Sequence, residues 1–180
     1  MTQSNGRQEL TVCRGLSPLR PVAENKTIDI SPAAKENLAQ ILEIGKEAIS
    51  SSWTMAFLAP EIDKEDTCFL VAQMGDEVLG FAVFREVGDD GELLQIATRK
   101  DTRQGGVGSL FLSAVLQYAK EKSLGKVFLE VRDSNAAAIG LYEKFGFKTL
   151  RVRKGYYDNP TEDALVMEYI NDYFCHRNIM

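Results

Sequence analysis

The residues whose types and spacing most clearly suggest a chemical role lie in one short turn, between a predicted strand and a long predicted helix. The turn combines a cation with three glycines, in the segment Arg103-Gln104-Gly105-Gly106-Val107-Gly108-Ser109. The start of a helix leaves four backbone N–H groups without intrahelical partners and carries partial positive charge. Because glycine has no Cβ, an anion can approach this backbone closely, and the combination suits a pyrophosphate group.

Two familiar nucleotide-binding loops do not match this turn. The triphosphate-binding loop requires a lysine before its Ser or Thr, and none follows here. The dinucleotide fingerprint requires a third glycine or alanine, and the register that begins at Gly106 puts Phe111 there. A Gly-Gly turn before a helix is more often only a turn, so the interpretation depends on the residues around it.

Two further side chains could take part in proton transfer. Glu130 stands among apolar residues of a predicted strand, where a carboxylate is costly unless it is paired or used. It could form a structural ion pair with Arg132, which shares its face of the strand, or it could act as a base. Tyr142 lies on the next predicted helix, where a half-buried aromatic usually has a packing role.

The composition excludes several classes of enzyme. Cys13, Cys68 and Cys175 are not closely spaced, which argues against a disulfide framework and a zinc knuckle. His176 is the only histidine, which argues against a Ser-His-Asp triad, a Cys-His pair and a two-histidine metal site; we expect no metal. The net charge of −5 disfavours nucleic acid as a partner and is compatible with a basic peptide.

Length and patterning predict a single domain. A chain of 180 residues is within the size of one domain, and we assign residues 1–26 to an N-terminal arm and residues 27–180 to the domain. The longest apolar runs are short enough for strands, so no membrane association is expected. The N-terminus lacks an apolar signal-peptide core, which predicts a cytoplasmic protein.

Periodicity predicts the elements that position these side chains. Ser31-Pro32 is typical of the start of a helix, and a second short helix from about Trp53 is expected to end before Pro60. Gly75-Asp76 is expected to be a hairpin turn, and Ser134 to cap the helix that carries Tyr142. The predicted order is β-α-α-β-β-β-α-β-α-β-β, a mixed sheet with helices on its faces.

The segments described above resemble a known family. Arg103-x-x-Gly106-x-Gly108, after the strand 93–98, resembles the acetyl-CoA motif of the GNAT superfamily of N-acetyltransferases. The segment 129–147, LEVRDSNAAAIGLYEKFGF, is similar almost residue for residue to the ribosomal-protein alanine N-acetyltransferases, the RimI type. The likeness continues through 153–157 and 162–167. It implies the GNAT acyl-CoA N-acyltransferase fold, an α/β fold with a central mixed sheet that is splayed at the cofactor strand.

The resemblance also implies roles for individual residues. Acetyl-CoA is the implied cofactor, held by 103–109 and by the Asn135 side chain, and the backbone amides of Ile96, Ala97 and Thr98 stabilise the oxyanion. Glu130 is the implied general base, and Tyr142 is the implied acid that protonates the departing thiolate. Tyr156 and Tyr157 match a tyrosine pair that lies over the incoming peptide, and Trp53 is expected to be a core or rim residue.

The acceptor implied by the resemblance is a protein N-terminus, the N-terminal alanine of a small-subunit ribosomal protein. Another N-terminus, a lysine or a small amine could serve with the same cofactor half, because function lies in the site rather than the fold. A non-catalytic acyl-CoA-binding module is the remaining alternative, and the presence of both Glu130 and Tyr142 argues against it. A monomer or weak dimer is expected.

Two features depart from the family or go against the overall charge. The strand before the turn ends Gln95-Ile96-Ala97-Thr98, where Asn-Ile-Ala-Val is usual, and Lys100 stands where proline is common. Backbone contacts do not depend on these side chains, although the acceptor side could differ. A basic run is interpreted mainly as a solvated face, or else as a patch near bound phosphate; it contains Lys144, Lys148, Arg151, Arg153 and Lys154.

Overall fold

One seven-stranded mixed sheet organises the protein. The computed structural model describes residues 27–48 and 55–171. The strands are β1 (Asp29–Pro32), β2 (Thr67–Met74), β3 (Glu77–Val87), β4 (Asp90–Thr98), β5 (Lys126–Arg132), β6 (Lys148–Tyr157) and β7 (Glu162–Ile170). The helices are α1 (Leu38–Ala48), α2 (Met55–Ile62), α3 (Val107–Glu121) and α4 (Ala136–Lys144). This order of strands and helices is the predicted one, and the α/β fold class is confirmed.

The strand order in the sheet is β1-β2-β3-β4-β5-β7-β6. Every neighbouring pair is antiparallel except β4 and β5, which run parallel. Helix α3 is the crossover between these two strands, as a parallel connection requires. The sheet therefore changes direction at its centre, next to the turn that precedes α3.

Apolar side chains form a core on each face of the sheet. Helix α3 buries Phe111 and Val115 against one face, in a cluster that includes Leu129 of β5 and Tyr142 of α4. Helices α1 and α2 cover the other face at β2 and β3, where Ile41 and Leu58 pack in a cluster with Phe81. Alternation along β5 sends Val127, Leu129 and Val131 into the α3 core, so Glu130 points to the opposite face.

Strands β4 and β5 separate after a short paired segment. Their register is Gly91 with Val127, Glu92 with Phe128, and Leu93 with Leu129. Beyond Leu93, β4 continues to pair with β3, and β5 continues to pair with β7 as far as Arg132. A cleft therefore opens between residues 94–98 and residues 130–132, which is the splay that the family resemblance implied.

Three local predictions were wrong. Ser31-Pro32 belongs to strand β1 rather than to a helix start, because Pro32 ends an edge strand and faces Leu70 of β2. Pro60 lies inside α2 instead of after it, where its missing N–H removes a single helical hydrogen bond. The cap of α4 is Asn135 rather than Ser134, since the Asn135 side chain accepts a hydrogen bond from Ala138 N–H at 3.2 Å.

A buried ion-pair cluster fastens α2 to the sheet. Glu61 is 3% exposed, and its carboxylate lies 2.8 Å from Nη2 of Arg85 on β3 and 2.5 Å from Nζ of Lys64. Thr67 of β2 donates to the same carboxylate at 3.3 Å. Burial acts to raise the pKa of Glu61, but the hydrogen bonds from Lys64 and Arg85 outweigh it and hold the pKa below its usual value.

Some predictions concern residues outside the described part of the chain. These residues are the arm 1–26, which includes Cys13, and Trp53, Cys175 and His176. Cys68 is buried. Within residues 27–48 and 55–171, no group of cysteine, histidine and carboxylate side chains could hold a metal ion. None of the helices described there has the length and apolar character needed to cross a membrane.

Candidate active site

The cleft between β4 and β5 exposes alternate backbone amides of β4. Arg99 N–H, just beyond the strand, donates to Leu79 O of β3 at 2.9 Å. Because successive residues of a strand direct their N–H groups to opposite sides, Ala97 also faces β3, and Ile96 and Thr98 face the cleft. The predicted amide donors are thus narrowed to Ile96 and Thr98. The Ile96 carbonyl, on the same side, accepts from the Gln95 side chain at 3.2 Å.

The turn before α3 follows the cleft-facing end of β4 and begins the helix without a side-chain cap. Gly106 is the N-cap of α3, has a φ of 85° and provides no side chain to cap the helix. Its carbonyl accepts from Leu110 N–H at 3.1 Å, which leaves the N–H groups of Val107, Gly108 and Ser109 without intrahelical acceptors. These N–H groups and the positive end of the α3 dipole have the chemistry needed to bind an anion, and the predicted phosphate contact stays a prediction.

Three glycines shape this turn: two allow close packing, and one leaves its outer side uncovered. A Cβ on Gly105 would lie 2.9 Å from the Thr102 carbonyl, and one on Gly108 would lie 3.2 Å from Leu141 of α4. Gly106 has nothing within 4 Å of its Cβ position, so the outer side of the turn is free for a ligand. Gly108 thus allows α3 and α4 to approach, and Gly106 allows a ligand to approach. The turn fits a pyrophosphate group on these grounds.

The polar and charged side chains of the turn and of the basic run differ in their pairing. Arg103 and Gln104 are exposed, and Gln104 has a φ of 64°. In the basic run, Arg153 pairs with Glu130 and Lys154 lies 2.5 Å from Asp163. Its other members are exposed: Lys144, Lys148 and Arg151. The run is therefore partly neutralised, which supports the solvated-face interpretation over a phosphate patch.

Glu130 lies where the two strands have just separated. It is the first residue of β5 beyond the β4 pairing, and its side chain is 22% exposed. Arg153 of β6 forms a hydrogen-bonded ion pair with its carboxylate. The structural alternative named Arg132 as the partner; instead, Nη1 of Arg132 lies 3.1 Å from Glu162. The carboxylate remains accessible from the face opposite α3.

Tyr142 is buried on α4, in the core cluster on the α3 face of the sheet. Its side chain is 8% exposed, and its ring centroid lies 5.8 Å from that of Phe147. Burial, followed by the nearby Tyr157 phenol, raises the pKa of Tyr142 to about 12. The hydroxyl therefore carries its proton at neutral pH. Within the described part of the chain it has no hydrogen-bond partner, so its proton is available to a ligand.

Asn135 begins the helix that carries Tyr142. Its side-chain oxygen, Oδ1, accepts a hydrogen bond from Ala138 N–H, which fixes the orientation of the side chain. The side chain is exposed, and its NH₂ group can donate to a ligand in the cleft. One residue therefore serves as a helix cap and remains available for the predicted contact with the pantetheine arm.

Tyr156 and Tyr157 stand at the end of β6 beside Glu130. Their rings are 5.0 Å apart in an edge-to-face arrangement, and each has an arginine over it. The guanidinium of Arg153 lies 4.1 Å from the Tyr156 centroid, and that of Arg132 lies 4.3 Å from the Tyr157 centroid. A hydrogen bond to Glu130 raises the pKa of Tyr156, and burial followed by the Glu130 charge raises that of Tyr157 to about 12.

Sequence reasoning missed two residues that organise this group. Arg153 was noted as part of a basic run and of a family motif, and Glu162 only as part of a family motif, with no partner assigned to either. Both act through pairing between β5, β7 and β6, which brings together residues more than 20 positions apart. Alternation along one strand could not reveal these partners.

Comparisons with known proteins identify the family and the fold. The acetyltransferase (GNAT) family model matches residues 38–147. The ribosomal protein bS18 alanine N-acetyltransferase of Escherichia coli is 31% identical over 140 residues, covering 77% of this chain and 94% of that protein. An N-alpha-acetyltransferase of Sulfurisphaera tokodaii is 31% identical over 157 residues, covering 80% and 93%. The crystal structure of the Escherichia coli enzyme superposes with a TM-score of 0.74 at 28% identity, covering 80% and 94%.

The chain belongs to the GNAT family of acetyltransferases. It is an acetyl-CoA-dependent N-acetyltransferase, and it resembles the RimI type both in sequence and in fold.

Proposed function

We propose that this enzyme transfers the acetyl group of acetyl-CoA to the N-terminal α-amine of a protein, and that the acceptor is the N-terminal alanine of a small-subunit ribosomal protein. The observation that carries the proposal is that Glu130 is the first residue of β5 beyond its pairing with β4, and that the Tyr157 phenol lies near enough to interact electrostatically with both Glu130 and the buried Tyr142. The similarity to a bS18 alanine N-acetyltransferase supports the choice of acceptor. A cytoplasmic monomer or weak dimer belongs to the same proposal.

The cofactor half of the site is assigned to the turn and to α4. The N–H groups of Val107, Gly108 and Ser109, with the Arg103 side chain, hold the pyrophosphate. The Asn135 side chain donates to the pantetheine arm. Bound acetyl-CoA supplies the acetyl group as a thioester. The N–H groups of Ile96 and Thr98, which face the cleft, stabilise the negative charge that develops on the oxygen of the thioester carbonyl.

Proton transfer is assigned to the two side chains that flank the cleft. Glu130 accepts the proton of the acceptor's α-ammonium, directly or through one water, so that the amine can attack the thioester carbonyl. The task is mild because an α-amino group titrates near about 7.7–8.0. Tyr142, which is protonated at neutral pH, donates its proton to the departing sulfur as the C–S bond breaks. The second proton of the attacking nitrogen is released to solvent as the amide forms, and the phenol is reprotonated from solvent. Tyr156 and Tyr157 lie over the acceptor peptide.

A second acceptor class is favoured by one comparison. The relative from Sulfurisphaera tokodaii is an N-alpha-acetyltransferase without a stated ribosomal acceptor. The same cofactor half could serve another N-terminus, a lysine or a small amine, because the acceptor is selected on the Glu130 side of the sheet.

The test is acetylation of a peptide panel, followed by mass spectrometry. The panel contains peptides that begin with free alanine, peptides with other first residues, and an α-blocked peptide that carries a lysine. Transfer confined to the alanine peptides supports the ribosomal acceptor. Transfer to other N-termini or to lysine keeps the enzyme class and rejects this acceptor. Binding of acetyl-CoA without transfer to any peptide rejects a peptide acceptor, and a second panel of small amines then separates a small-amine acceptor from a non-catalytic module.

A further inference from the structure

Arg132 makes a set of contacts that reach from β5 to the hairpin between β6 and β7. Its Nη1 donates to Pro160 O at 3.2 Å and to a Glu162 carboxylate oxygen at 3.1 Å, and its Nη2 donates to Asp158 O at 3.0 Å. Its guanidinium also stacks on the Tyr157 ring at 4.3 Å. A single side chain, 24% exposed, thus contacts the hairpin at four points.

The hairpin depends on side chains because its backbone pairing is interrupted. The β6–β7 register passes from Arg153 opposite Ala164 to Tyr157 opposite Glu162, with an irregularity between the two. Across that gap, the Asp163 carboxylate accepts from Gly155 N–H at 2.9 Å. The segment that carries Tyr156 and Tyr157 is therefore not fixed by a regular ladder of hydrogen bonds.

Glu162 extends the arrangement to the cofactor side. Its second carboxylate oxygen accepts from Ser134 N–H at 2.5 Å, directly before the Asn135 cap of α4. Hydrogen bonds from the Ser134 side chain and then from its backbone, together with Arg132, hold the pKa of Glu162 below its usual value, so this carboxylate stays charged at neutral pH. Arg132, Glu162 and Ser134 thus connect the hairpin to the start of the helix that carries Tyr142.

We propose that Arg132 is a positioning residue that, through Glu162 and Tyr157, holds the β6–β7 hairpin in the conformation that receives the acceptor peptide, and so favours peptides over small amines. The inference rests on the proposed function. It follows from the hairpin's position beside Glu130, where the residues that follow the reactive amine must pass. A small amine ends at Glu130 and does not need an ordered hairpin.

The test compares Arg132→Ala and Arg132→Lys with a matched control, using a hexapeptide that begins with alanine and the small acceptor alanine amide. Arg132→Ala is expected to raise the KM for the hexapeptide about 10- to 100-fold, the effect of losing charged hydrogen bonds, while the KM for alanine amide and the affinity for acetyl-CoA stay near the wild-type values. Arg132→Lys keeps the charge opposite Glu162 but loses the stacking on Tyr157 and the guanidinium hydrogen bonds. Its KM for the hexapeptide is therefore expected to lie between that of the wild type and that of Arg132→Ala.

The control is Lys126→Ala, which removes another β5-to-β7 ion pair on the same face, 3.3 Å from Glu168 and away from the hairpin. It is expected to change the hexapeptide KM by less than about fivefold, the scale of an exposed pair. If Arg132→Ala behaves like this control, or raises the KM for alanine amide as much as that for the hexapeptide, the proposal is wrong.

Hydrogen exchange of residues 155–162 tests the hairpin without any acceptor. Faster exchange there in Arg132→Ala than in Lys126→Ala supports the positioning role, and equal exchange overturns it. If no peptide is acetylated but exchange is faster, the proposed function fails and the structural role of Arg132 remains. The two proposals can therefore be rejected separately.

Discussion

The guanidinium of Arg153 forms an ion pair with the carboxylate of Glu130 across the intervening strand β7. The proposed base therefore has a cationic neighbour that lies over the Tyr156 ring, on the face to which the proposal assigns the acceptor. The same geometry fits two roles for Glu130, a structural ion pair and a catalytic base. Kinetics and stability separate these roles, because only a base affects the chemical step.

Glu130→Gln is expected to lower kcat by about 10²–10⁴-fold, the range for general base catalysis, without changing acetyl-CoA affinity. The free energy of unfolding should change by less than about 1 kcal/mol, since Arg153 is half exposed. Single-turnover acetylation and thermal unfolding measure the two effects. Arg153→Gln is the control, because it breaks the same ion pair and leaves the carboxylate. Full activity in Glu130→Gln would rule out the base assignment.

Tyr142→Phe is expected to slow the chemical step by about 10²–10³-fold, because the departing sulfur loses its proton donor. The phenyl ring keeps the contact with Phe147, so the fold should be preserved. Rapid-quench measurement of the first turnover reports the step directly. An unaltered rate, with chemistry shown to be limiting, would mean that another group protonates the sulfur.

Arg103→Ala is expected to raise the dissociation constant for acetyl-CoA about 10-fold, the scale of one charge-assisted hydrogen bond, with little change in kcat. Calorimetric titration with acetyl-CoA measures the constant. Lys100→Ala, which removes an exposed cation three residues earlier, is the matched control. Equal affinities in the two variants would remove Arg103 from the phosphate site.

The burial of Tyr142 predicts a loss of stability in alkali. Its pKa rises from about 10 in the unfolded chain to about 12 in the folded protein, so its contribution is fully present below pH 10 and is lost as the pH rises through about 12. Two pKa units correspond to about 3 kcal/mol. Urea unfolding across this pH range should show a shallower decline in Tyr142→Phe than in the wild type. Equal slopes would contradict the burial of an un-ionised phenol.

The Glu61–Arg85 pair predicts a stability effect remote from the cleft. Arg85→Met leaves a buried carboxylate with Lys64 as its remaining cation, and should cost about 3 kcal/mol in urea unfolding. The double variant Glu61→Met, Arg85→Met removes both charges and should recover most of that loss. The pKa of Glu61 is lower in the folded protein than in the unfolded chain. The ionised carboxylate therefore contributes to the free energy of unfolding above its unfolded-state pKa, and this contribution is lost as the pH falls through its folded-state pKa. A double variant no more stable than Arg85→Met would show that the buried charge is not the cause.

Local pattern predicted the bounds of two elements at the parallel crossover. Alternation over residues 126–132 predicts a strand with the bounds of β5, and helical periodicity from Gly108 predicts α3, which begins one residue earlier at Val107. Pro32 and Pro60 were misjudged because tertiary context decides whether a proline ends an element. An edge strand tolerates the first, and a short helix tolerates the second.

The acceptor half was less predictable from sequence. The partner of Glu130 lies on β6 and the partner of Arg132 lies on β7, and both pairings depend on how three strands align. Likewise, the direction of each amide on β4 follows from the β3 register rather than from residue type. These relationships are set by the fold, and no short stretch of sequence contains them.

The brief contact between β4 and β5 makes the sheet mechanically unequal. Three residue pairs join its two halves, β1–β4 and β5–β7, whereas β5 pairs with β7 along its whole length. The angle between the halves is therefore set less by backbone hydrogen bonds than by the α3 core, where the Phe111 ring lies 3.1 Å from the Cβ position of Gly80 on β3. Small changes in the volume of this core would alter the width of the cleft from a distance. The range of accepted substrates is then partly a property of the protein's interior.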